Sequence, residues 1–188
     1  MQTQGSVVTD VFHGKYLLQR TRGDTALTGL ERIDRVSLYE KEAERKPNFA
    51  NLNALVCEEI SLMGCIYEDA RQALLDGVPR ATAEQGLPLA GQFFNRAHAH
   101  ADMVERDPLH SPTSLSALRA GISYNVIVLT LEWNQDQTQG RQYLDMTLAD
   151  LEKSMAKESA MLRGGDVRPN QLFCTIRPLL QDLRDSFQ

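Results

Sequence analysis

The residues best suited to do chemistry in this chain are its four histidines and the carboxylate of Glu59, which lies in a regular helical segment. The histidines are His13, His98, His100 and His110. On a helix, His98 and His100 would point about 200° apart, so they could not bind the same metal ion. Glu59 lies beside an apolar stripe, where it could act as a buried general acid or pair with an arginine of a neighbouring helix. His98, His100 and Glu59 therefore mark one alternative, an all-α enzyme whose site is assembled between helices.

The motifs of common metal, nucleotide and nucleophile sites are missing from the sequence. It contains no Glu-x-x-His of a helical di-iron site, no Cys-x-x-Cys and no His-Glu-x-x-His. Glycine-rich phosphate loops and the Gly-x-Ser-x-Gly elbow of hydrolases are also absent. We therefore predict no catalytic, cofactor-binding or metal-binding residues and no cofactor, and the balance leans away from an enzyme.

Composition and charge favour a soluble acidic protein. The chain has 188 residues, of which 42% are hydrophobic and 24% charged, and its net charge is −5. This length is enough to bury a sizeable core in one domain. Proteins that bind nucleic acid usually carry a basic excess, so the acidic balance argues against a nucleic-acid partner.

Cysteine usage and the chain start predict a cytoplasmic location. Cys57, Cys65 and Cys174 are an odd, sparse set, and a disulfide framework needs paired cysteines. The first residues lack the basic and apolar segments of a secretory signal. No run approaches about 18 consecutive apolar residues, so the sequence predicts no transmembrane helix and no membrane partner.

Apolar periodicity from residue 27 onward predicts an all-α fold. We expect about six antiparallel helices, in a bundle or a short array of helical hairpins, forming a single helical domain over 27–188. Residues 1–26 would be a non-helical arm or a short β-hairpin. Residues 124–131 are rich in β-branched side chains, yet the helical period from Leu115 to Trp133 runs through them, so we predict helix. The most regular stripe is Leu52, Leu55, Val56, Ile60, Met63, Ile66, Ala70 and Leu74.

These observations favour a non-enzymatic protein that binds another protein, such as an inhibitor, an immunity protein, an adaptor or a chaperone-like binder. A helical ligand-sensing or regulatory domain is a further alternative, and a homo-oligomer stays open. Acidic surfaces suit partners with basic surfaces. The predicted partner-binding residues form two sets at predicted helix ends, Glu40, Glu42 and Glu44, and Asp102, Glu105 and Asp107. Acidic groups at a helix C-terminus oppose the macrodipole, so we expect no role for them in local stability.

Overall fold

The computed structural model describes residues 29–132, 136–163 and 166–186, and in these ranges the protein is all-α. Six long helices occur there, packed with antiparallel contacts, which confirms the predicted fold class. They are α1 (Gly29–Arg45), α2 (Phe49–Leu75), α3 (Leu87–Glu105), α4 (Pro112–Glu132), α5 (Gln137–Met161) and α6 (Gln171–Asp185). The predicted arm or hairpin over 1–26 lies outside the described residues.

Local signals in the sequence explain where several helices begin and end. The side chain of Asn48 accepts a hydrogen bond from Asn51 N at 3.0 Å, so Asn48 is the N-cap of α2. Asn170 caps α6 in the same way. After α2 the chain turns at Gly77, whose φ of 81° is a left-handed conformation that glycine adopts without strain. Pro178 lies inside α6, which continues beyond it to Asp185.

The chain divides into two compact units. One spans Asp24–Asp107 and contains α1, α2 and α3, while α4, α5 and α6 belong to the other. Each unit has its own buried apolar side chains. The single helical domain predicted over 27–188 stays a prediction.

In the first unit, α2 packs against both α1 and α3. Arg35 of α1 contacts Glu58, and Arg96 of α3 contacts Glu59. At the start of α2, Asn51 Nδ2 donates to Lys46 O, just after the end of α1, and Phe49 N donates to Asp107 Oδ2, just after the end of α3. Helix α2 therefore runs antiparallel to both neighbours. The C-terminal ends of α1 and α3 therefore lie at one end of this unit, around the start of α2.

In the second unit, α4 packs against α5 and α6 and is helical through 124–131, as predicted. Burial against two helices outweighs the strand propensity of its β-branched side chains. The buried side is not the predicted one over its whole length. Ile127 and Leu131 are buried, whereas Val126 and Leu129 are only half-buried. Leu129 is therefore not at the centre of the core, and Trp133 lies outside the described residues.

Two helices, α2 and Pro112–Leu131 of α4, are long and apolar enough to cross a membrane by length and composition alone. The most apolar windows of these helices are 56% and 72% buried within the protein. Core helices of soluble proteins meet the same criterion, so this is weak evidence for a membrane span. The predicted absence of a transmembrane helix stays a prediction.

Candidate functional site

Two adjacent carboxylates are buried in the middle of α2. Glu58 is 2% exposed and Glu59 is fully buried. Adjacent residues on a helix point about 100° apart, so each carboxylate faces a different neighbour. Glu58 Oε1 lies 2.8 Å from Arg35 Nη2 of α1, whereas Glu59 faces α3. The pair of carboxylates thus links α2 to both of its neighbours through charge.

His100 contacts Glu59. The alternative hypothesis of an enzyme site between helices requires such a contact. The distance from His100 Nδ1 to Glu59 Oε2 is 2.9 Å, and the histidine side chain is 19% exposed. A carboxylate on one ring nitrogen fixes the orientation of an imidazole and leaves the other nitrogen for proton transfer or ligand binding. The two residues have the chemistry of a carboxylate–imidazole dyad.

His98 does not join this dyad. Its ring packs edge-on against Phe94, with the ring centroids 4.6 Å apart and the planes at 73°. The two-residue spacing places His98 and His100 on different sides of α3, as the sequence analysis argued. Of the three residues proposed for an enzyme site, the structure brings together His100 and Glu59.

Arg96 connects all three helices of the first unit. Its Nη2 donates to Glu40 Oε1 of α1 at 2.8 Å, and its Nε lies 3.3 Å from Glu59 Oε1 of α2. The guanidinium also lies 5.1 Å from the centroid of the Phe93 ring. Sequence analysis missed Arg96, although it lies four residues before His100 and therefore shares a side of α3 with it.

The two predicted acidic sets lie at the same end of the first unit, because α1 and α3 both end beside the start of α2. Glu44, Asp102 and Glu105 are exposed. Glu42 is also exposed and forms an ion pair with Arg45 within α1. Glu40 differs from these residues, because Arg96 holds it against the rest of the unit.

Asp107 has a structural role that corrects one expectation from the sequence. Its Oδ2 accepts a hydrogen bond from Phe49 N at 2.8 Å, at the first residue of α2. The first amides of a helix have no acceptor within the helix, and a carboxylate there also matches the macrodipole. Asp107 therefore stabilises the start of α2, whereas we had expected no local stability role for the acidic sets. The sequence analysis considered the dipole of α3, which ends just before Asp107, whereas this carboxylate interacts with the start of α2.

The described residues outside this unit offer less chemistry. An open depression of about 600 Å³ runs along α5 and is lined by Gln137, Thr138, Arg141, Gln142, Asp145 and Met146. All of these residues belong to one helix, so side chains from different elements do not converge there. Within the described ranges, no three His, Cys, Asp or Glu side chains form a group able to hold a metal ion. No disulfide joins Cys57, Cys65 or Cys174 in the described part of the chain.

No protein-family model matches this chain, and no significant match was found among curated proteins or solved structures.

Proposed function

We propose that this protein is non-enzymatic and acts by binding a protein partner with a basic surface. The contact surface is the acidic end of the first unit, which we define as Glu42 and Glu44 of α1 with Asp102 and Glu105 of α3. Glu40 and Asp107, the remaining members of the predicted sets, adjoin this surface and hold its helices in place.

The observation that carries this proposal is the convergence of two acidic sets that lie about 60 residues apart in the sequence. Antiparallel packing on α2 brings the ends of α1 and α3 to one side of the unit. Acidic groups in the last turn of a helix oppose its dipole, at a cost of a few tenths of a kcal/mol each. Binding a basic surface would offset this cost and accelerate association through long-range attraction.

The test is charge reversal at the exposed positions of the acidic end. The variants are Glu42→Lys with Glu44→Lys, and Asp102→Lys with Glu105→Lys. A partner captured from the native host and identified by mass spectrometry is titrated against each variant by surface plasmon resonance. We expect the association rate to fall about tenfold or more at low salt, with a flatter salt dependence.

The matched control reverses two acidic residues at the other end of α2, Asp69→Lys with Asp76→Lys. This variant makes the same change in net charge, so a loss that depends only on total charge would appear there too. Circular dichroism checks that all three variants keep their helix content. Unchanged association rates in both test variants would remove the acidic end from the proposal, and turnover of a small substrate by the pure protein would contradict a non-enzymatic role.

The dyad of His100 and Glu59 supports a second candidate, an all-α enzyme that uses His100 as a general base. Glu59 would orient the ring, and the exposed part of His100 would meet the substrate. Hydrolysis of an activated ester such as p-nitrophenyl acetate provides the assay. His100→Gln should abolish this activity and His98→Gln should preserve it. Equal rates for the wild type and His100→Gln would exclude the dyad as the source.

A further inference from the structure

Arg32 in the first turns of α1 is a buried cation without a counter-ion in the described part of the chain. Its side chain is 1% exposed. Its Nε and Nη1 atoms are buried and have no hydrogen-bond partner there. Buried arginines are normally paired, because an ion removed from water loses several kcal/mol of solvation. A buried guanidinium in this arrangement favours an anion beside it.

The surroundings of Arg32 add to the positive charge. The N-terminal turns of a helix carry the positive end of its dipole, which disfavours a cation. Arg35 lies one turn further along the same side of α1. Its Nη2 is taken by Glu58 Oε1, so this carboxylate is already engaged with a different arginine. The start of α1 thus combines two guanidinium groups with the dipole, and of the acidic residues in these turns Asp34 is exposed to solvent.

We propose that Arg32 binds a small oxyanion, a phosphate or a carboxylate group, at the start of α1. Guanidinium N–H groups bind oxyanions with short charge-assisted hydrogen bonds, and a helix N-terminus favours the same negative charge. The binding site is separate from the acidic end, which lies at the other end of α1. It would make this protein responsive to a small anionic ligand whether or not it binds a protein partner.

The experiment measures thermal stability by calorimetry in sodium chloride and then in sodium phosphate or sodium succinate at matched ionic strength and pH. A ligand that binds only the folded state raises the melting temperature as its concentration increases. At about 100 times Kd, we expect a rise of roughly 5–10 °C in the wild type. The phosphate and succinate arms show which oxyanion is preferred.

The test variant is Arg32→Met, which removes the charge but keeps an unbranched side chain. In chloride its melting temperature should equal or exceed that of the wild type, because an uncompensated buried charge has been removed. Its melting temperature should not respond to either oxyanion. The matched control Arg35→Met should lose stability, because it leaves Glu58 without this partner, and should keep the oxyanion response.

Two results would overturn the proposal. One is an oxyanion response that survives in Arg32→Met. The other is a wild type whose melting temperature does not respond to either oxyanion. A strong loss of stability in Arg32→Met would then mean that a carboxylate of the chain itself pairs with Arg32. If Arg32→Met does not fold, isothermal titration of the wild type with phosphate and succinate decides, since absence of saturable binding to both refutes the site.

Discussion

The two units bury different kinds of polar residues. The unit of α1, α2 and α3 buries the charged side chains of Arg32, Glu58 and Glu59. In α4 and α5 of the other unit, the buried polar residues described are neutral: Thr113, Ser114, Ser116, Asn125, Thr130 and Ser154. The free energy of transfer from water is far larger for a charged group than for a hydroxyl or an amide, so the two units place different demands on their neighbouring helices.

The way these groups are satisfied follows from that difference. Thr130 Oγ1 donates to Val126 O at 2.8 Å, and Ser154 Oγ donates to Leu151 O at 2.7 Å, both within their own helix. Such a group is satisfied whatever helix lies opposite. Glu58 and Glu59 instead need Arg35, Arg96 and His100 from two other helices. Thr113 and Ser116 of the second unit also reach another helix, since they donate to Glu158 and Asp150 of α5. We infer that buried charge contributes more to the register of the first unit than to that of the second.

The units also share one feature. In each, a carboxylate from a distant segment caps the start of a helix. Asp107 accepts from Phe49 N at the start of α2, and Glu158 of α5 accepts from Thr113 N at 2.9 Å near the start of α4. The Thr113 hydroxyl donates to the same Glu158 oxygen at 2.6 Å. The contrast between the units therefore concerns their interiors and not their helix ends.

The largest effect should come from placing a charge where neither unit offers a partner. Met63 of α2 and Leu118 of α4 are both fully buried. Met63→Asp and Leu118→Asp should each unfold the protein, because the carboxylate is desolvated without an ion pair. Circular dichroism and the melting temperature measure the outcome. Leu129→Asp is the matched control in α4, and because Leu129 is half-buried it should be milder than Leu118→Asp. Equal loss for both changes in α4 would contradict the burial pattern of this helix.

A double-mutant cycle on Glu59 and His100 sharpens the comparison of the two interiors. Glu59→Met and His100→Leu should each reduce the free energy of unfolding by about 1–3 kcal/mol, because each leaves a charged or polar partner behind. The double variant should cost less than the sum of the two, with a coupling of about 1 kcal/mol or more. Urea unfolding gives these values.

The matched change in the second unit is Thr130→Val, which removes a bond within its own helix. It should cost less than about 1 kcal/mol, since the Val126 carbonyl keeps its place in the helix ladder. If the coupling of Glu59 and His100 is zero, or Thr130→Val costs more than either single change in the first unit, charge is not what distinguishes the two interiors.

Much of the fold could be predicted from periodicity, because apolar residues recur every three to four positions in a helix that has one buried side. The stripe of α2 was predicted well up to Met63, and Ala70 is also buried, but Ile66 is half-buried and Leu74 is exposed. The stripe of α4 was predicted correctly at Leu115, Leu118 and Ile122, but not at Val126 and Leu129, because a helix that is apolar on most sides gives little phase information. In α1 the buried side includes Arg32, a position that no hydrophobic pattern would assign to a core.

The candidate site was predictable only in part. Glu59 was singled out because it lies beside a stripe, and an arginine from a neighbouring helix was one predicted partner. The identity of that arginine, Arg96, and the contact with His100 depend on the register between α2 and α3, which a single sequence does not encode locally. The cap provided by Asp107 depends on the same register, 58 residues apart in the chain.

The shared caps should give an effect of intermediate size in both units. Asp107→Asn and Glu158→Gln each weaken a charge-assisted hydrogen bond to the start of a helix, and each should cost about 0.5–2 kcal/mol. Glu158→Gln should be the more harmful, because Glu158 accepts two hydrogen bonds from Thr113. The control is Glu152→Gln, because Glu152 is exposed where it pairs with Arg177, and this change should cost less than about 1 kcal/mol. Thermal unfolding of the three variants tests this order, and a control as harmful as Glu158→Gln would show that the caps add nothing.

The smallest effect concerns Tyr67, whose titratable hydroxyl belongs to the same unit as the buried charged residues Arg32, Glu58 and Glu59. It is 6% exposed, and burial raises the pKa of its hydroxyl above the ordinary value of 10.0. The unfolded chain therefore releases this proton at lower pH than the folded protein does. Tyr67 has no effect on the pH dependence of stability below about pH 9, and above pH 10 it lowers stability as the pH rises towards the folded pKa.

Tyr67→Phe should remove that part of the alkaline loss. At pH 7 the change should alter the free energy of unfolding by at most about 1 kcal/mol. The difference between variant and wild type should then move in favour of the variant between pH 10 and pH 11. Urea unfolding at pH 7, 9, 10 and 11 measures this difference, with tyrosinate absorbance recording the ionisation. A difference that stays constant over this range would mean that Tyr67 reaches water in the folded state, and that burial in this unit is less complete around its neutral side chains than around Glu59.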